Sequence, residues 1–287
     1  SALSVYMPLC SNALTKEGKS SAPCKVTLIG SVGAGRAVMR AASDTLKPVL
    51  LELGGKNALI AYPDSDPKKI ADAIVGGMNF GWCGQSCGST SRAFLHVDIH
   101  DAVISHLKAA VERYKPGIPT EPETTMGAIV SRTQFDRIMD FIESAMSEGA
   151  RAVTGGHAVT EGALAQGSFI APTIFADVTP QMRIAREEIF GPVLAVRKWS
   201  DEDSMLNEVN ALELGLPCAI WTRDLVMAHR TAARVEAGFV WVNEVGRHFL
   251  GAPFGGVKQS GIGREEGIGE LISFTHEKNV HINLSGQ

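Results

Sequence analysis

Short apolar runs alternate with longer segments of helical periodicity along most of this chain. The strand-like runs occupy residues 25–29, 49–51, 58–61, 193–196, 218–221 and 239–242. The helical patterns between them occupy residues 36–43, 70–80, 102–114, 134–147 and 205–212. Strands that alternate with helices of this length predict an α/β fold with a mostly parallel sheet.

Glycine-rich segments mark two further features of the pattern. Residues 30–35 read as a turn between the first strand and the first helix, so a βα unit opens the recognisable part of the chain. Beyond Gly255 glycine is unusually frequent, and residues 278–284 then alternate between apolar and polar side chains. This alternation predicts a final strand that completes a sheet or pairs with another subunit.

Composition places the chain among ordinary globular proteins. It has 287 residues, of which 45% are hydrophobic and 20% are charged, enough for one large domain or two smaller ones. The net charge is −4 and both signs are interspersed, so no basic stripe is present and we expect no nucleic-acid partner. No run approaches the roughly 18 apolar residues that span a bilayer, and no targeting signal is evident, so we expect no membrane partner.

The cysteines bear on cellular compartment and on metal binding. Five cysteines, at positions 10, 24, 83, 87 and 218, form an odd and scattered set. Such a set predicts reduced thiols and a cytoplasmic location, because a disulfide framework uses paired cysteines. Cys83 and Cys87 have no second Cys or His pair at zinc-binding spacing, so we expect no metal site.

Cys87 is the first candidate for chemistry. It closes the segment Gly84-Gln85-Ser86-Cys87, which follows the apolar helical pattern of residues 70–80. A cysteine delivered by a loop at the end of a helix can be exposed with a lowered pKa, and the thiolate is the form that attacks carbonyl carbon. Taken alone, a buried structural cysteine is the simpler interpretation.

Glu52 is the second candidate. It follows the strand of residues 49–51 and precedes Leu53-Gly54-Gly55-Lys56. A carboxylate at a strand end beside two glycines lies next to open backbone, where a substrate can approach and where a raised pKa suits a general base. Taken alone, a solvated strand-end carboxylate is again the simpler interpretation.

Together these segments resemble the paired active-site motifs of the aldehyde dehydrogenase superfamily. Glu-Leu-Gly-Gly-Lys is followed about 35 residues later by Gly-Gln-x-Cys, and further matches come in the family's order. These are Glu187-Glu188-Ile189-Phe190-Gly191-Pro192, Trp241-Val242-Asn243, Pro253-Phe254-Gly255-Gly256 and Ser260-Gly261-Ile262-Gly263-Arg264-Glu265. The resemblance extends over roughly residues 25–284.

The resemblance implies a function and two catalytic roles. Cys87 would attack an aldehyde to give a thiohemiacetal, which would pass hydride to NAD or NADP and leave a thioester. Glu52 would then activate water to release a carboxylic acid. The implied partners are a small aldehyde and further copies of the same chain, so we expect a homo-oligomer.

The resemblance also implies the cofactor-binding residues. Gly30, Ser31 and Gly35 would contact the dinucleotide at the glycine turn, together with Leu53. On its own this turn is a weak signal, since it departs from the usual Gly-x-Gly-x-x-Gly order. Two residues of the later motif complete the implied set, Glu188 at the nicotinamide ribose and Phe190 near the nicotinamide ring. We interpret Glu187 as solvated, and Trp241 and Phe254 as core residues.

The implied architecture is an incomplete Rossmann-type cofactor domain joined to an α/β catalytic domain. We assign residues 1–53 to the partial dinucleotide-binding domain, 54–257 to the catalytic domain and 258–287 to a segment that returns to the cofactor and oligomerisation region. Residues 1–24 match no motif of the family and are left unassigned. We find no match for the family's Asn oxyanion donor or for its adenine-ribose Lys and Glu, so we expect weak dinucleotide binding by this chain alone.

Local departures from the family pattern concern the pocket. Trp82 and Cys83 replace residues that are usually more polar, and a disulfide between Cys83 and Cys87 would block the nucleophile. Arg247 and His248 lie in a loop that lines the substrate mouth in the family. They would suit an anionic aldehyde, although a solvated loop explains them equally well.

Two alternatives to a dehydrogenase remain open. One is a catalytically silent member of the family that acts only in assembly, and the other is a thiol esterase that uses Cys87 and Glu52 without a dinucleotide. Dinucleotide binding distinguishes both from the leading prediction. Transfer of the acyl group to coenzyme A is less favoured, because Glu52 is present to activate water.

Overall fold

The computed structural model describes residues 4–6 and 25–286, which form two sheets, a two-stranded ribbon and surrounding helices. The larger sheet has seven strands in the order β11-β10-β4-β5-β8-β7-β6. Its strands are β4 (Ala58–Ala61), β5 (Arg92–His96), β6 (Arg151–Thr154), β7 (Thr173–Ala176), β8 (Val193–Trp199), β10 (Pro217–Trp221) and β11 (Phe239–Val242). All neighbours are parallel except the edge pair β6–β7, which confirms the predicted α/β fold.

Eight helices accompany the strands in the described residues. They are α1 (Val32–Ser43), α2 (Pro67–Gly77), α3 (Val97–Val111), α4 (Arg132–Ser147), α5 (Arg183–Arg186), α6 (Glu202–Asn210), α7 (Leu225–Arg234) and α8 (Ile268–Ile272), with 3₁₀ turns at Phe80–Trp82 and Gly162–Gln166. Side-chain caps fix where several of them begin. Asp66, Ser131, Asp201 and Asp224 each accept a hydrogen bond from a backbone N–H of the first turn. None of these helices is long and apolar enough to cross a membrane.

The core lies on both faces of the larger sheet. Along β4, Leu59 and Ala61 pack with α2, α3 and α4 on one face, while Ala58 and Ile60 pack with side chains of α6 and the strand Pro217–Trp221 on the other. All four residues are buried, as expected for a central strand between two helical layers. This central strand begins one residue after Asn57, so the packed core fixes the segment that carries the motif residues 52–56.

The smaller sheet carries Glu52. It has the order β1-β2-β3-β13, with β1 (Ser4–Tyr6), β2 (Val26–Ile29), β3 (Val49–Glu52) and β13 (Gly261–Ile262). Strands β2 and β3 are parallel and are joined through α1, whereas β1 and β13 are antiparallel to their neighbours. A ribbon of β9 (Leu214–Gly215) and β12 (Val257–Lys258) leads into β13. Gly261 is the register partner of Glu52, so a distant part of the sequence closes over the end of β3.

Two predicted elements differ from the structure. Helix α1 begins at Val32 instead of residue 36, because Ser31 accepts a hydrogen bond from the N–H of Ala34 and caps the helix earlier. The strand predicted at residues 278–284 is absent, and Val280, Ile282 and Leu284 are exposed. An isolated segment has no neighbouring strand to satisfy its backbone groups, so its alternating pattern alone cannot make a strand.

We predict that Gly261→Ala lowers the free energy of unfolding by roughly 1–3 kcal/mol. Gly261 has φ of 153°, and a Cβ built there would lie 2.1 Å from the carbonyl oxygen of Leu51. Urea denaturation of the variant and the parent measures the difference. Gly269→Ala is the matched control, because its added methyl group would meet no atom within 4 Å. Equal stability of Gly261→Ala and the parent would contradict the conclusion that the close pairing of β13 with β3 requires glycine at this position.

Candidate active site

The loop that carries Cys87 is shaped by three residues with left-handed backbone. Asn79, Cys83 and Gly84 have φ of 54°, 57° and 63°, and they bend the chain sharply after α2. Gly84 is required as glycine, since a Cβ there would lie 2.2 Å from the carbonyl oxygen of Gly191. Gln85 accepts a hydrogen bond from the Val130 N–H at 3.0 Å, which ties the loop to a neighbouring segment. The loop therefore presents Cys87 in one fixed conformation.

The Cys87 thiol is partly buried and lies within the field of two carboxylates. Burial is the largest cause that raises its pKa to about 11, followed by the charges of Glu52 and Glu188. The backbone N–H groups of Cys87 and Gly88 act in the opposite direction and lower this pKa. The thiolate is therefore favoured when the neighbouring carboxylates lose their charge.

Glu52 ends β3 as a buried carboxyl group. It is 2% exposed, and neither side-chain oxygen has a hydrogen-bond partner among the described residues. Burial is the largest cause that raises its pKa to about 8; the charge of Glu265 raises it further and the charge of Arg264 opposes the shift. A Cβ at Gly255 would lie 2.7 Å from Glu52 Oε1, so the glycine leaves room for this carboxyl group.

Glu188 lies against the backbone of Gly54 and Gly55. Its Oε1 accepts a hydrogen bond from the Gly55 N–H at 2.9 Å, and burial raises the pKa of its carboxyl group. Its backbone carbonyl accepts from Arg137 Nη2 at 2.8 Å. Gln134 Nε2 donates to the carbonyl of Phe190 at 3.0 Å, which holds this segment although Phe190 has φ of 55°. Two helix side chains thus fix a strained loop beside the Glu52–Gly55 segment.

Several residues predicted from sequence meet at one cavity. Its wall contains Gly55, Gly84, Ser86, Glu188 and Phe190, which come from the three separate motifs. A Cβ at Gly55 would lie 2.9 Å from the Cys87 carbonyl oxygen, and a Cβ at Gly54 would lie 2.2 Å from Glu188 Oε2. The structure therefore brings the segment that begins at Glu52 together with Cys87 and Glu188. The roles assigned to them from sequence remain predictions.

The predicted pyrophosphate turn lies beside β3. The Gly30 N–H donates to the backbone carbonyl of Glu52 at 2.9 Å, and Ser31 uses its side chain as the cap of α1. Gly35 is buried, and a Cβ there would lie 2.7 Å from Leu53 Cδ1. Gly35 and Leu53 therefore pack the helix tightly against the strand, and their predicted contact with the dinucleotide remains a prediction.

These surroundings fit a dinucleotide. First-turn N–H groups of a helix have no intrahelical acceptor, and only one of those in α1 is taken by Ser31. Gly33 leaves the helix start open, because a Cβ there would approach only Ser31 Oγ, at 3.9 Å. The Glu188 carboxylate, beside Gly54 and Gly55, offers acceptors for ribose hydroxyl groups. An anionic group at α1 and a sugar at Glu188 are thus both accommodated.

The structure reveals functional candidates that the sequence interpretation missed. Asn57 bonds the carbonyl groups of Cys87 and Ser89, Gln134 and Arg137 hold the Glu188 segment, and Ser260 bonds the carbonyl of Gly54. Asn57 could have been predicted from the sequence, because a polar residue directly before a buried strand requires hydrogen-bond partners. Ser260 begins a motif of the resemblance, but its contact with Gly54 was not predicted. Gln134 and Arg137 lie on α4 and carry no local signal of their contacts with the Glu188 segment.

The cysteines near the site are all reduced in the described residues. Cys83 is buried and its thiol donates to the carbonyl of Gly127 at 3.2 Å, while Cys83, Cys87 and Cys218 are all free thiols. A disulfide between Cys83 and Cys87, which would block the nucleophile, is therefore not formed. Cys10 and Cys24 lie outside the residues that the structure describes.

The loop with Arg247 and His248 is held by its own contacts. Trp241 Nε1 donates to the Arg247 carbonyl at 2.7 Å, and His248 Nδ1 lies 2.8 Å from Glu266 Oε1. Trp241 and Phe254 are buried, in agreement with their prediction as core residues. Within residues 25–286, no group of three His, Cys, Asp or Glu side chains could hold a metal ion.

Comparison with known proteins identifies the family. Residues 11–280 match the aldehyde dehydrogenase family, and the chain belongs to this family. The expectation that residues 1–24 lie outside the family pattern is therefore wrong for residues 11–24. That segment contains none of the motifs on which the resemblance was built, so a reading by motifs could not detect it.

Individual relatives agree with this assignment. The chain is 53% identical to aldehyde dehydrogenase tropH of Talaromyces stipitatus over 266 residues, covering 91% of this chain and 52% of the relative. It is 42% identical to a betaine aldehyde dehydrogenase of Sinorhizobium fredii, covering 91% of this chain and 53% of the relative. The NAD⁺ complex of an aldehyde dehydrogenase from Bacillus cereus matches with a TM-score of 0.86 and 36% identity, covering 92% of this chain and 52% of that one. The chain thus spans about half the length of these relatives.

We predict that Glu52→Gln removes a pH dependence of stability. Because the pKa of Glu52 is raised from 4.5 to about 8 in the fold, its stabilising contribution is complete below pH 4.5 and is lost as the pH rises to about 8. Relative to the parent, the variant should gain roughly 3–5 kcal/mol of unfolding free energy across this interval. Urea titrations at pH 5, 6, 7 and 8 measure the difference, and parallel profiles would show that Glu52 titrates normally.

Proposed function

We propose that this chain forms the catalytic part of an NAD- or NADP-dependent aldehyde dehydrogenase, which oxidises an aldehyde to a carboxylic acid. The observation that carries the proposal is the pairing of Cys87, a free thiol on a fixed loop, with Glu52, a buried carboxyl group whose oxygens have no partner among the described residues. A nucleophile and an unsatisfied base in one site suit acyl chemistry that ends in hydrolysis.

Cys87 forms the first covalent bond. Its thiolate adds to the carbonyl carbon of the aldehyde, and the electron pair of the C=O bond moves to oxygen. The N–H groups of Cys87 and Gly88, which favour the thiolate, also provide donors beside the developing negative charge. When bound, the nicotinamide would accept the hydride that leaves this carbon, so that an acyl thioester remains on Cys87.

Glu52 acts on the thioester. Its ionised carboxyl group takes a proton from water, the hydroxide oxygen attacks the acyl carbon, and the C–S bond breaks to release the acid and the Cys87 thiolate. The raised pKa of Glu52, about 8, makes it a stronger base than an ordinary carboxylate. Its position at the end of β3, under the Gly255 backbone, leaves both carboxyl oxygens without a partner among the described residues and so free to bind water.

The cofactor-binding residues would divide the dinucleotide between two regions. Gly30 and Ser31, at the start of α1, would lie at the pyrophosphate, and Glu188 would accept hydrogen bonds from the nicotinamide ribose. Phe190 would border the nicotinamide ring. Gly35 and Leu53 support this arrangement by allowing α1 to pack closely on β3.

The assembly proposed from sequence is a homo-oligomer. It is supported by the segment of residues 278–284, in which Val280, Ile282 and Leu284 are each 68–70% exposed. An alternating apolar segment of this kind is suited to pairing with a strand of another copy.

A cofactor-independent thiol esterase is the competing proposal. It needs Cys87 and Glu52 but makes no use of the open start of α1 or of the Glu188 carboxylate. These features favour the dehydrogenase. Aldehyde-dependent reduction of NAD or NADP by the protein distinguishes the two, because an esterase hydrolyses activated esters only.

We predict that Cys87→Ala abolishes both aldehyde oxidation and ester hydrolysis, because no other described thiol can replace it. Cys83 and Cys218 are buried, with 3% and 2% exposed, whereas Cys87 is only half-buried and can meet a substrate. The rates of aldehyde oxidation and of ester hydrolysis measure the effect. Cys218→Ala serves as the control and should keep both activities. Full activity in Cys87→Ala would exclude Cys87 as the nucleophile.

We predict that Glu52→Gln still forms the acyl enzyme but releases acid on the order of 10²–10⁴ times more slowly. The amide cannot take a proton from water, whereas attack by Cys87 and loss of hydride do not require it to. Rapid mixing should therefore give a burst of reduced cofactor with little subsequent turnover. Glu187→Gln is the control, since the Glu187 side chain is 53% exposed and paired with Arg183. Turnover at the parent rate by Glu52→Gln would assign Glu52 a purely structural role.

A further inference from the structure

Asn57 joins the start of β4 to the loop that carries Cys87. Its side chain is buried, with 4% exposed, and Nδ2 donates to the carbonyl of Cys87 at 2.7 Å and to that of Ser89 at 3.0 Å. Asn57 thus uses both donor hydrogens on one turn of the nucleophile loop. Neither the thiol nor the proposed base makes a hydrogen bond to this amide.

The bond to the Cys87 carbonyl acts on a particular peptide unit. The carbonyl of Cys87 and the N–H of Gly88 belong to the same peptide group, so a hydrogen bond to the oxygen polarises the N–H and makes it a stronger donor. This Gly88 N–H is one of two backbone groups that lower the pKa of the Cys87 thiol. Asn57 therefore bonds the carbonyl oxygen of the peptide group whose N–H, on Gly88, favours the thiolate.

Other contacts already secure the rest of the loop. The Thr90 N–H donates to the Gly77 carbonyl at 2.9 Å, and Asn79 Nδ2 lies 3.2 Å from Ser89 Oγ. These bonds tie down the loop after Cys87 without acting on the Cys87–Gly88 peptide. The Gly88 N–H of that peptide also lies 3.3 Å from Ser86 Oγ, a contact within the same loop, whereas Asn57 holds the peptide from outside the loop through the Cys87 carbonyl.

The oxygen of the Asn57 amide argues against a purely structural role. Asn57 Oδ1 is buried and has no hydrogen-bond partner among the described residues. An unsatisfied buried acceptor lowers stability. The protein thus loses stability at the residue that bonds the Cys87 carbonyl. This loss is consistent with a role of the Asn57 amide in positioning the Cys87 loop.

We propose that Asn57 is a positioning residue, which holds the Cys87–Gly88 peptide with its N–H group directed at the sulfur and thereby favours the thiolate. The inference rests on the proposed role of Cys87 as the nucleophile. It extends that role to a residue that contacts neither the substrate nor the sulfur.

The test is the pH dependence of Cys87 alkylation by iodoacetamide in the whole protein, read at the Cys87 peptide by mass spectrometry. Asn57→Leu keeps the volume but removes both donors, and we expect the midpoint of the profile to rise by about one pH unit. Below the midpoint, this corresponds to alkylation about tenfold slower at a given pH. Asn57→Ser keeps one short donor and should fall between Asn57→Leu and the parent.

Asn210→Leu is the matched control. The Asn210 amide also spans two backbone groups, the Arg234 carbonyl at 2.8 Å and the Glu236 N–H at 2.9 Å, but neither belongs to the Cys87 loop. Its loss should leave the Cys87 midpoint unchanged, whatever it does to stability. A shift as large as that of Asn57→Leu would attribute the effect to general loosening and overturn the proposal.

The remaining outcomes are also decisive. An unchanged midpoint in Asn57→Leu and Asn57→Ser, with Cys87 still the first cysteine to react in the parent, would overturn the positioning role alone. Failure of Cys87 to react first in the parent would overturn the proposed function as well. If Asn57→Leu does not fold, Asn57→Ser decides the question, since a parental midpoint in this smaller variant contradicts the proposal.

Discussion

The antiparallel closure of β13 over the end of β3 is the interaction on which the rest of the site depends. Ser260 accepts a hydrogen bond from the Leu53 N–H through its carbonyl, while its hydroxyl donates to the Gly54 carbonyl and accepts from the Gly215 N–H. These bonds anchor the backbone directly after Glu52 and bury its carboxyl group. Because the backbone of Gly54 is fixed, the next N–H, that of Gly55, is placed to donate to Glu188. Gly55 and Glu188 then line the same cavity.

The site concentrates charged groups where water is scarce. Burial is the largest cause that raises the pKa of Glu52 and Cys87, and it lowers the pKa of the fully enclosed Lys56 to about 7. Such groups weaken a fold, because each loses hydration that the protein replaces only in part. The two hydrophobic layers on the faces of the larger sheet offset this loss. A well-packed sheet is thus what allows the reactive groups to remain buried.

Much of the fold follows from the sequence because apolar periodicity reports burial directly. The central strand of residues 58–61 and the loop that carries Cys87 after a helix were both predicted from local pattern. The contacts of Asn57 and Ser260 were not predicted, since they depend on carbonyl groups that lie 30 or more residues away. The segment of residues 278–284 carries a strand pattern without a strand, because pairing requires a neighbour that a pattern cannot supply. Sequence therefore predicts burial well and polar pairing poorly.

The Glu188 carboxylate has a thermodynamic consequence that goes beyond its place in the wall. Its negative charge raises the pKa of the Cys87 thiol, so the acidity of the thiol varies with the state of Glu188. A ligand that binds Glu188 and withdraws part of its charge must make Cys87 more acidic. Linkage is reciprocal, so ionisation of Cys87 must strengthen the binding of that ligand to the same degree. Ligand binding at Glu188 and ionisation of the Cys87 thiol are thus thermodynamically coupled.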